Sequence, residues 1–282
     1  MSQETSHRAD NSQLAQASAK FHFISGLPRS GTTLLAGILR QNPCVHASIQ
    51  SPVGQCVTDL HRAMSGVNEA HWFITDEQRM RSLRALFSAY YADIKADIMF
   101  DTNRRWCANM SLILSLFPDA WVLCCVRDTI AVIDSIERLL QAHPLTLSTI
   151  IGLESGTTVF GRVKRLMDPA GLVGYALNAV QEAFYGPHND RLLMINYDDL
   201  ARFPGTILAK IHEKLELPAF KYDFNMIEQI PGAALFDSSI GTPGLHSLKK
   251  RVEYVPRTSL LPPAILNTLP KPFWLKELQT DA

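Results

Sequence analysis

Residues 20–39 constrain the fold more than any other stretch of the chain. Phe21, Phe23 and Ile24 form a short apolar run that ends in Gly26-Leu27-Pro28-Arg29-Ser30-Gly31, after which Leu34, Leu35, Ile38 and Leu39 fall at helical spacing. A strand, a glycine-bounded turn and a helix in this order offer backbone N–H groups and the positive end of a helix dipole to an anion.

The rest of the chain repeats the alternation. Helical patterns are expected over Pro52 to Met64 and Asp76 to Asp93, a strand over Asp97 to Asp101, and a short helix through Leu112, Leu114 and Leu116. Ala120 to Val126 is a continuous apolar run, as in a strand buried on both faces, and Asp128 can cap the helix that carries Ile130, Ile133, Ile136, Leu139 and Leu140. Further helices are expected near Val159 to Met167 and Leu172 to Tyr185, then a strand from Arg191 to Tyr197 and a helix from Ile207 to Leu217. From Gly232 onward Gly and Pro signals predict mostly loop. With 282 residues, 46% of them hydrophobic and 19% charged, one large core is affordable. The expectation is a single α/β domain over residues 20–282, a P-loop-type parallel sheet with helices on both faces, preceded by a flexible segment over residues 1–19. In such sheets ligands sit at the carboxyl ends of strands, where Gly26, Asp101, Arg127 and Tyr197 all fall.

Charge excludes some partners. The 27 Lys and Arg balance 27 Asp and Glu, so no bulk field draws the chain to nucleic acid or an anionic membrane. No uncharged apolar stretch of about 18 residues is present, and the start of the chain lacks an apolar leader core. Cys44, Cys56, Cys107, Cys124 and Cys125 are odd in number and read as reduced core thiols, so a cytoplasmic protein is expected.

The turn is not that of a nucleoside triphosphatase. Thr32 and Thr33 follow Gly31 where such a loop carries Lys, and the cation, Arg29, lies inside the turn. The strand ending at Val126 continues into Arg127, a cation where a magnesium ligand would be wanted. These choices favour metal-free transfer of a group of low charge, such as a sulfuryl group. Arg127 and Ser135, about two helical turns apart, can hold an anion between them, although a capped helix beside a solvated Arg is the bland alternative.

Three segments together resemble the sulfotransferases that use 3′-phosphoadenosine 5′-phosphosulfate (PAPS). Phe23-Ile-Ser-Gly-Leu-Pro-Arg-Ser-Gly-Thr-Thr-Leu-Leu35 is similar to their 5′-phosphosulfate loop, Val126-Arg-Asp-Thr-Ile-Ala-Val-Ile-Asp-Ser135 to their 3′-phosphate motif, and Tyr197-Asp-Asp-Leu200 with Pro204 to a third family segment. The likeness covers roughly Lys20 to Pro218, and the protein-tyrosine sulfotransferases are the most similar subgroup. It implies PAPS as donor and no metal. It also implies nucleotide contacts from Gly26, Pro28, Arg29, Ser30, Gly31, Thr32, Thr33, Arg127, Ser135 and Tyr197, with Arg29 catalytic. The segment Ser238 to Arg251 falls where the family closes a loop over the nucleotide, which makes Ser239 and Lys249 candidates.

On the acceptor side the chain departs from that pattern. Gln50 stands where the subgroup has a Glu base, and Thr102 where it has a Lys. Asp101, at a strand's carboxyl end, is the preferred substitute base and His46 the rival; Arg104 or Arg105 is a candidate for the missing charge. The stretch Gln50 to Ala96, with Trp72, Phe73, Tyr90 and Tyr91, reads either as helical core or as an aromatic acceptor cap. The expected acceptor is a hydroxyl, on a peptide tyrosine or a small molecule, and a homodimer is compatible with this reading. A small-metabolite kinase and a non-catalytic nucleotide-binding module are the alternatives.

Overall fold

The computed structural model describes residues 19–66, 69–151 and 158–276. Five strands, β1 (Lys20–Gly26), β2 (Val45–Ala47), β3 (Ile98–Thr102), β4 (Val122–Val126) and β5 (Leu192–Asn196), form one parallel sheet in the order β2-β3-β1-β4-β5. The flexible segment expected over residues 1–19 lies outside the described residues except for Ala19.

Alternation along the strands sorts two cores. Phe21 and Phe23 of β1, Met99 of β3 and Val122, Cys124 and Val126 of β4 face one side. There they meet helices α2 (Val53–Ala63), α3 (Asp76–Tyr90), α4 (Met110–Leu116), α5 (Thr129–Ala142), α6 (Val159–Met167) and α7 (Leu172–Tyr185). Ile24, Phe100, Leu123, Cys125 and Ile195 face the other side, against α1 (Thr32–Leu39), α8 (Tyr197–Arg202) and α9 (Pro204–Leu215). Central strands apolar on both faces are what a sheet covered on both sides requires. Among the described residues no helix is long and apolar enough to cross a membrane.

Several boundaries differ from the sequence expectation. The three-residue edge strand β2 escaped detection because it is too short to show a period. The strand expected to reach Tyr197 stops at Asn196, whose Oδ1 accepts from Asp198 N at 2.9 Å and so starts α8. Within the tail expected to be loop, α10 (Ala233–Ser239) and the short α11 (Pro263–Leu266) form. Asp134 of α5 accepts from Leu260 N at 2.6 Å and Ser259 Oγ at 3.2 Å, which fixes the tail to the helix layer. Cys107, Cys124 and Cys125 are buried as expected, but Cys44 and Cys56 are exposed and belong to neither core.

His22 gives the fold an acid sensitivity. It is buried in β1, accepts from Trp121 N at 3.2 Å through Nδ1, and keeps Nε2 buried without a hydrogen-bond partner. Burial first, then Lys20, push its imidazole from 6.5 down to about 4, against a pull from Asp119. The unfolded chain therefore takes up a proton that the native chain refuses. The contribution of His22 to stability is fully present above pH 6.5 and is lost as pH falls through about 4. The loss is on the order of 3 kcal/mol. His22→Gln is expected to flatten this part of the profile of urea-denaturation midpoint against pH.

Candidate functional site

At the carboxyl edge of the sheet, β1 meets β4 too closely for a side chain. Gly26 has φ +125°, and a Cβ there would lie 1.9 Å from Cys125 O. The Ser30 hydroxyl lies 2.5 Å from Leu27 O and 2.8 Å from Cys125 O, bracing the turn on itself and on β4. Between these anchors Arg29 adopts φ +59°, a left-handed conformation costing a side-chain-bearing residue about 1–2 kcal/mol. Gly31, at φ +93°, caps α1 without any side-chain hydrogen bond, so the first amides of that helix stay available to an anion. A Cβ on Gly31 would meet Tyr197 Cδ2 at 2.7 Å, so the turn and the start of α8 form one continuous cradle.

Two guanidiniums converge on this cradle. Arg29 donates through Nε to Ser135 Oγ at 3.1 Å and through Nη1 to Leu245 O. Burial and then the neighbouring charge of Arg127 push Arg29 down to about 10, so it remains a cation at neutral pH. Arg127 stacks 4.2 Å over the Tyr197 ring. Its Nε is buried with no hydrogen-bond partner, Asp198 Oδ1 lying 4.0 Å away. A buried donor without an acceptor costs free energy that an anionic ligand would recover.

The cradle opens into a cavity of about 460 Å³, within the range of about 300–1,000 Å³ usual for small-molecule sites. Among the described residues, Arg29, Arg104, Arg127, Lys249, Arg251 and Arg257 line it against one carboxylate, Glu253. Glu253 is already engaged, with Lys249 Nζ 2.7 Å away. The chain is neutral as a whole and basic here, a local concentration of cations that overall composition could not reveal.

The structure brings together Gly26, Pro28, Arg29, Gly31, Thr32, Thr33, Arg127, Ser135, Tyr197 and Lys249, all of which line the cavity. Ser30 does not line it; its fully buried hydroxyl braces the turn from behind. Ser239 is also absent from the lining, because its hydroxyl closes the end of α10 on Phe236 O at 2.7 Å. Gln50, Thr102 and Arg104 are on the wall and Arg105 is not.

Neither base candidate reaches the cavity. Asp101 is fully buried beneath it and accepts from Ser51 Oγ at 2.6 Å, Tyr91 OH at 2.7 Å and Trp106 Nε1 at 2.7 Å. Three donors close around it, the arrangement of a structural anchor. Burial pushes its carboxyl up, and those three hydrogen bonds counter the push. His46 sits on β2 with its ring 5.6 Å from Tyr91, and burial and Arg40 lower its affinity for a proton. The aromatic cap does not form over the cavity either. Trp72, Phe73 and Tyr90 are exposed, Tyr91 is buried on Asp101, and none of the four lines the cavity.

Sequence reasoning missed Leu245, His246, Arg251 and Arg257, which roof the cavity from the tail. It also missed Asp237, whose fully buried carboxylate accepts from His246 N at 2.8 Å and lies 2.5 Å from His246 Nδ1. A chemistry-bearing His within the closing segment was the available signal, but the turn after α10 that joins it to Asp237 has no periodic signature. Among the described residues, no three His, Cys, Asp or Glu side chains cluster as metal ligands would.

A sequence model described as the sulfotransferase family matches residues 22–221. A protein-tyrosine sulfotransferase of Drosophila melanogaster is 23% identical over 218 residues, 70% of this chain and 38% of that protein, so the chain spans well under half of its relative's length. Among solved structures, the sulfotransferase domain from the curacin biosynthetic pathway is 15% identical, with 73% of this chain and 76% of that one covered at a TM-score of 0.48. A sulfotransferase from Alicyclobacillus acidocaldarius is 15% identical, with 79% and 91% covered at a TM-score of 0.46.

Proposed function

We propose, from the premise that this chain belongs to the sulfotransferase family, that it moves a sulfuryl group from PAPS to an acceptor hydroxyl. Membership of the family sets aside the small-metabolite kinase. The observation that carries the choice of donor is the pair Arg29 and Arg127. These are two guanidiniums on one cradle, one of them with a buried Nε that lacks an acceptor. A nucleotide with separate phosphate and phosphosulfate ends fits such a pair.

When bound, PAPS supplies sulfate already activated as a mixed anhydride. The chain's own residues bind and orient. Arg127 and Ser135 offer donors for the terminal phosphate, and the Tyr197 ring stacks against Arg127. Arg29, with Thr32, Thr33 and the amides opening α1, neutralises charge that develops on the leaving oxygen. Because Ser135 Oγ and Leu245 O hold the guanidinium in advance, little reorganisation is needed as the bond breaks. Arg104 lies on the same wall and is the charge available where the subgroup's Lys is replaced by Thr102. The acceptor is a hydroxyl on a peptide tyrosine or a small molecule.

Calorimetry with 3′,5′-adenosine bisphosphate, followed by turnover of labelled PAPS against tyrosyl peptides, phenols, sugars and alcohols, tests the reading. Heat and transfer are the expected results. Heat without any transfer would make the chain a binding module, and no heat with either nucleotide would overturn the donor assignment.

A further inference from the structure

A hydroxyl acceptor must lose its proton, and the cavity wall limits where that proton can go. Gln50 is an amide with no useful basicity, and Asp101 and His46 are off the wall. Of carboxylates and imidazoles, only Glu253 and His246 are on it among the described residues. The ammonium of Lys249, first, and then Arg251 hold Glu253 below the usual carboxylate range and weaken it as a base.

His246 has the opposite arrangement. Its Nδ1 and backbone N are both fixed on the buried carboxylate of Asp237, which orients the ring and assigns the Nδ1–H tautomer. The Phe236 ring, 5.6 Å away, packs against it. Nε2 has no hydrogen-bond partner among the described residues, and the side chain retains 15% exposure. The preceding residue is Leu245, whose carbonyl accepts from Arg29, so the backbone that carries the imidazole is tied to the guanidinium assigned to the leaving oxygen.

We infer that His246, oriented by Asp237, is the base that takes the acceptor's proton. The inference rests on the donor reading above. His246 Nε2 takes the proton as the acceptor oxygen bonds to sulfur and the sulfur–oxygen bond to the nucleotide breaks, the electron pair leaving with the bisphosphate. His246 then returns the proton to water. Asp237 stabilises the imidazolium formed in between without taking up the proton itself.

The test combines a labelling arm and a kinetic arm on the full chain. Diethyl pyrocarbonate, mapped by mass spectrometry, is expected to label His246 at Nε2 in the free protein, and 3′,5′-adenosine bisphosphate with a phenol is expected to protect it. Equal labelling with and without these ligands overturns the inference whether or not an acceptor is turned over. In the kinetic arm, His246→Gln is expected to lower kcat about 10²–10⁴-fold while bisphosphate affinity stays at the wild-type value. Imidazole in the buffer should restore part of the activity of His246→Ala, and a nitrophenol already ionised at the assay pH should narrow the deficit. A merely structural role would move neither. A wild-type chain that binds no bisphosphate overturns the donor reading; transfer undiminished in His246→Gln overturns this inference alone.

Discussion

Under the proposed function, Arg29→Ala is expected to lower turnover of PAPS by about a hundredfold to a thousandfold, the usual cost of removing a preorganised donor aimed at developing charge. Arg29 is held from two sides, by Ser135 Oγ and Leu245 O, so neither a water nor a mobile Lys reproduces its fork. Loss of the loop's shape is separable from loss of the charge. Arg29→Gly suits φ +59° better than the native residue and keeps the turn, yet should be as inactive as the alanine variant. Bisphosphate calorimetry and steady-state kinetics on the two variants check this; a Gly variant with near-native kcat would refute a catalytic guanidinium.

Asp101→Ala is expected to be the most destabilising single change near the site. It leaves Ser51 Oγ, Tyr91 OH and Trp106 Nε1 without their acceptor in the core. Each such loss costs about 1–3 kcal/mol. Together they take much of a domain's usual margin of about 5–15 kcal/mol. Asp101→Asn is expected to be mild. The amide oxygen can accept from Trp106 while the Ser51 and Tyr91 hydroxyls, able to accept as well as donate, turn to receive the amide protons. Urea denaturation separates the two variants, and kcat of Asp101→Asn then separates anchor from base. An Asn side chain cannot take a proton, so near-native turnover supports the anchor and its collapse with an intact fold would restore Asp101 as base.

Much of the fold was legible because its signals are local. The run from Phe21 to Gly31, the two-faced apolar strand β4 and the Asp128 cap, which accepts from Ile130 N at 2.8 Å, each require only a few consecutive residues. That Gly26, Arg127 and Tyr197 share one edge was legible from the strand ends on which they fall. The burial of Asp101 was not foreseen because its place at the end of a strand was weighed and its face was not. Alternation puts it with Met99, towards the core that holds Tyr91 and Trp106. That the segment up to Arg251 roofs the cavity was expected from the family resemblance alone, and the contacts that hold the roof were illegible for a different reason. Arg29 with Leu245, and Asp237 with His246, meet only after the tail has folded back, and a Gly- and Pro-rich segment carries no period from which such a contact could be read.

The central place of β1 bears on how the chain reaches this state. Its partners are distant in sequence, Lys20 opposite Ile98 and Phe23 opposite Val122, so its ladder has nothing to bond until those later strands have been made. A nascent polypeptide therefore carries an unpaired apolar segment through much of its synthesis. Assembly waits on long loop closures, and the slow kinetics of non-local parallel topologies follow.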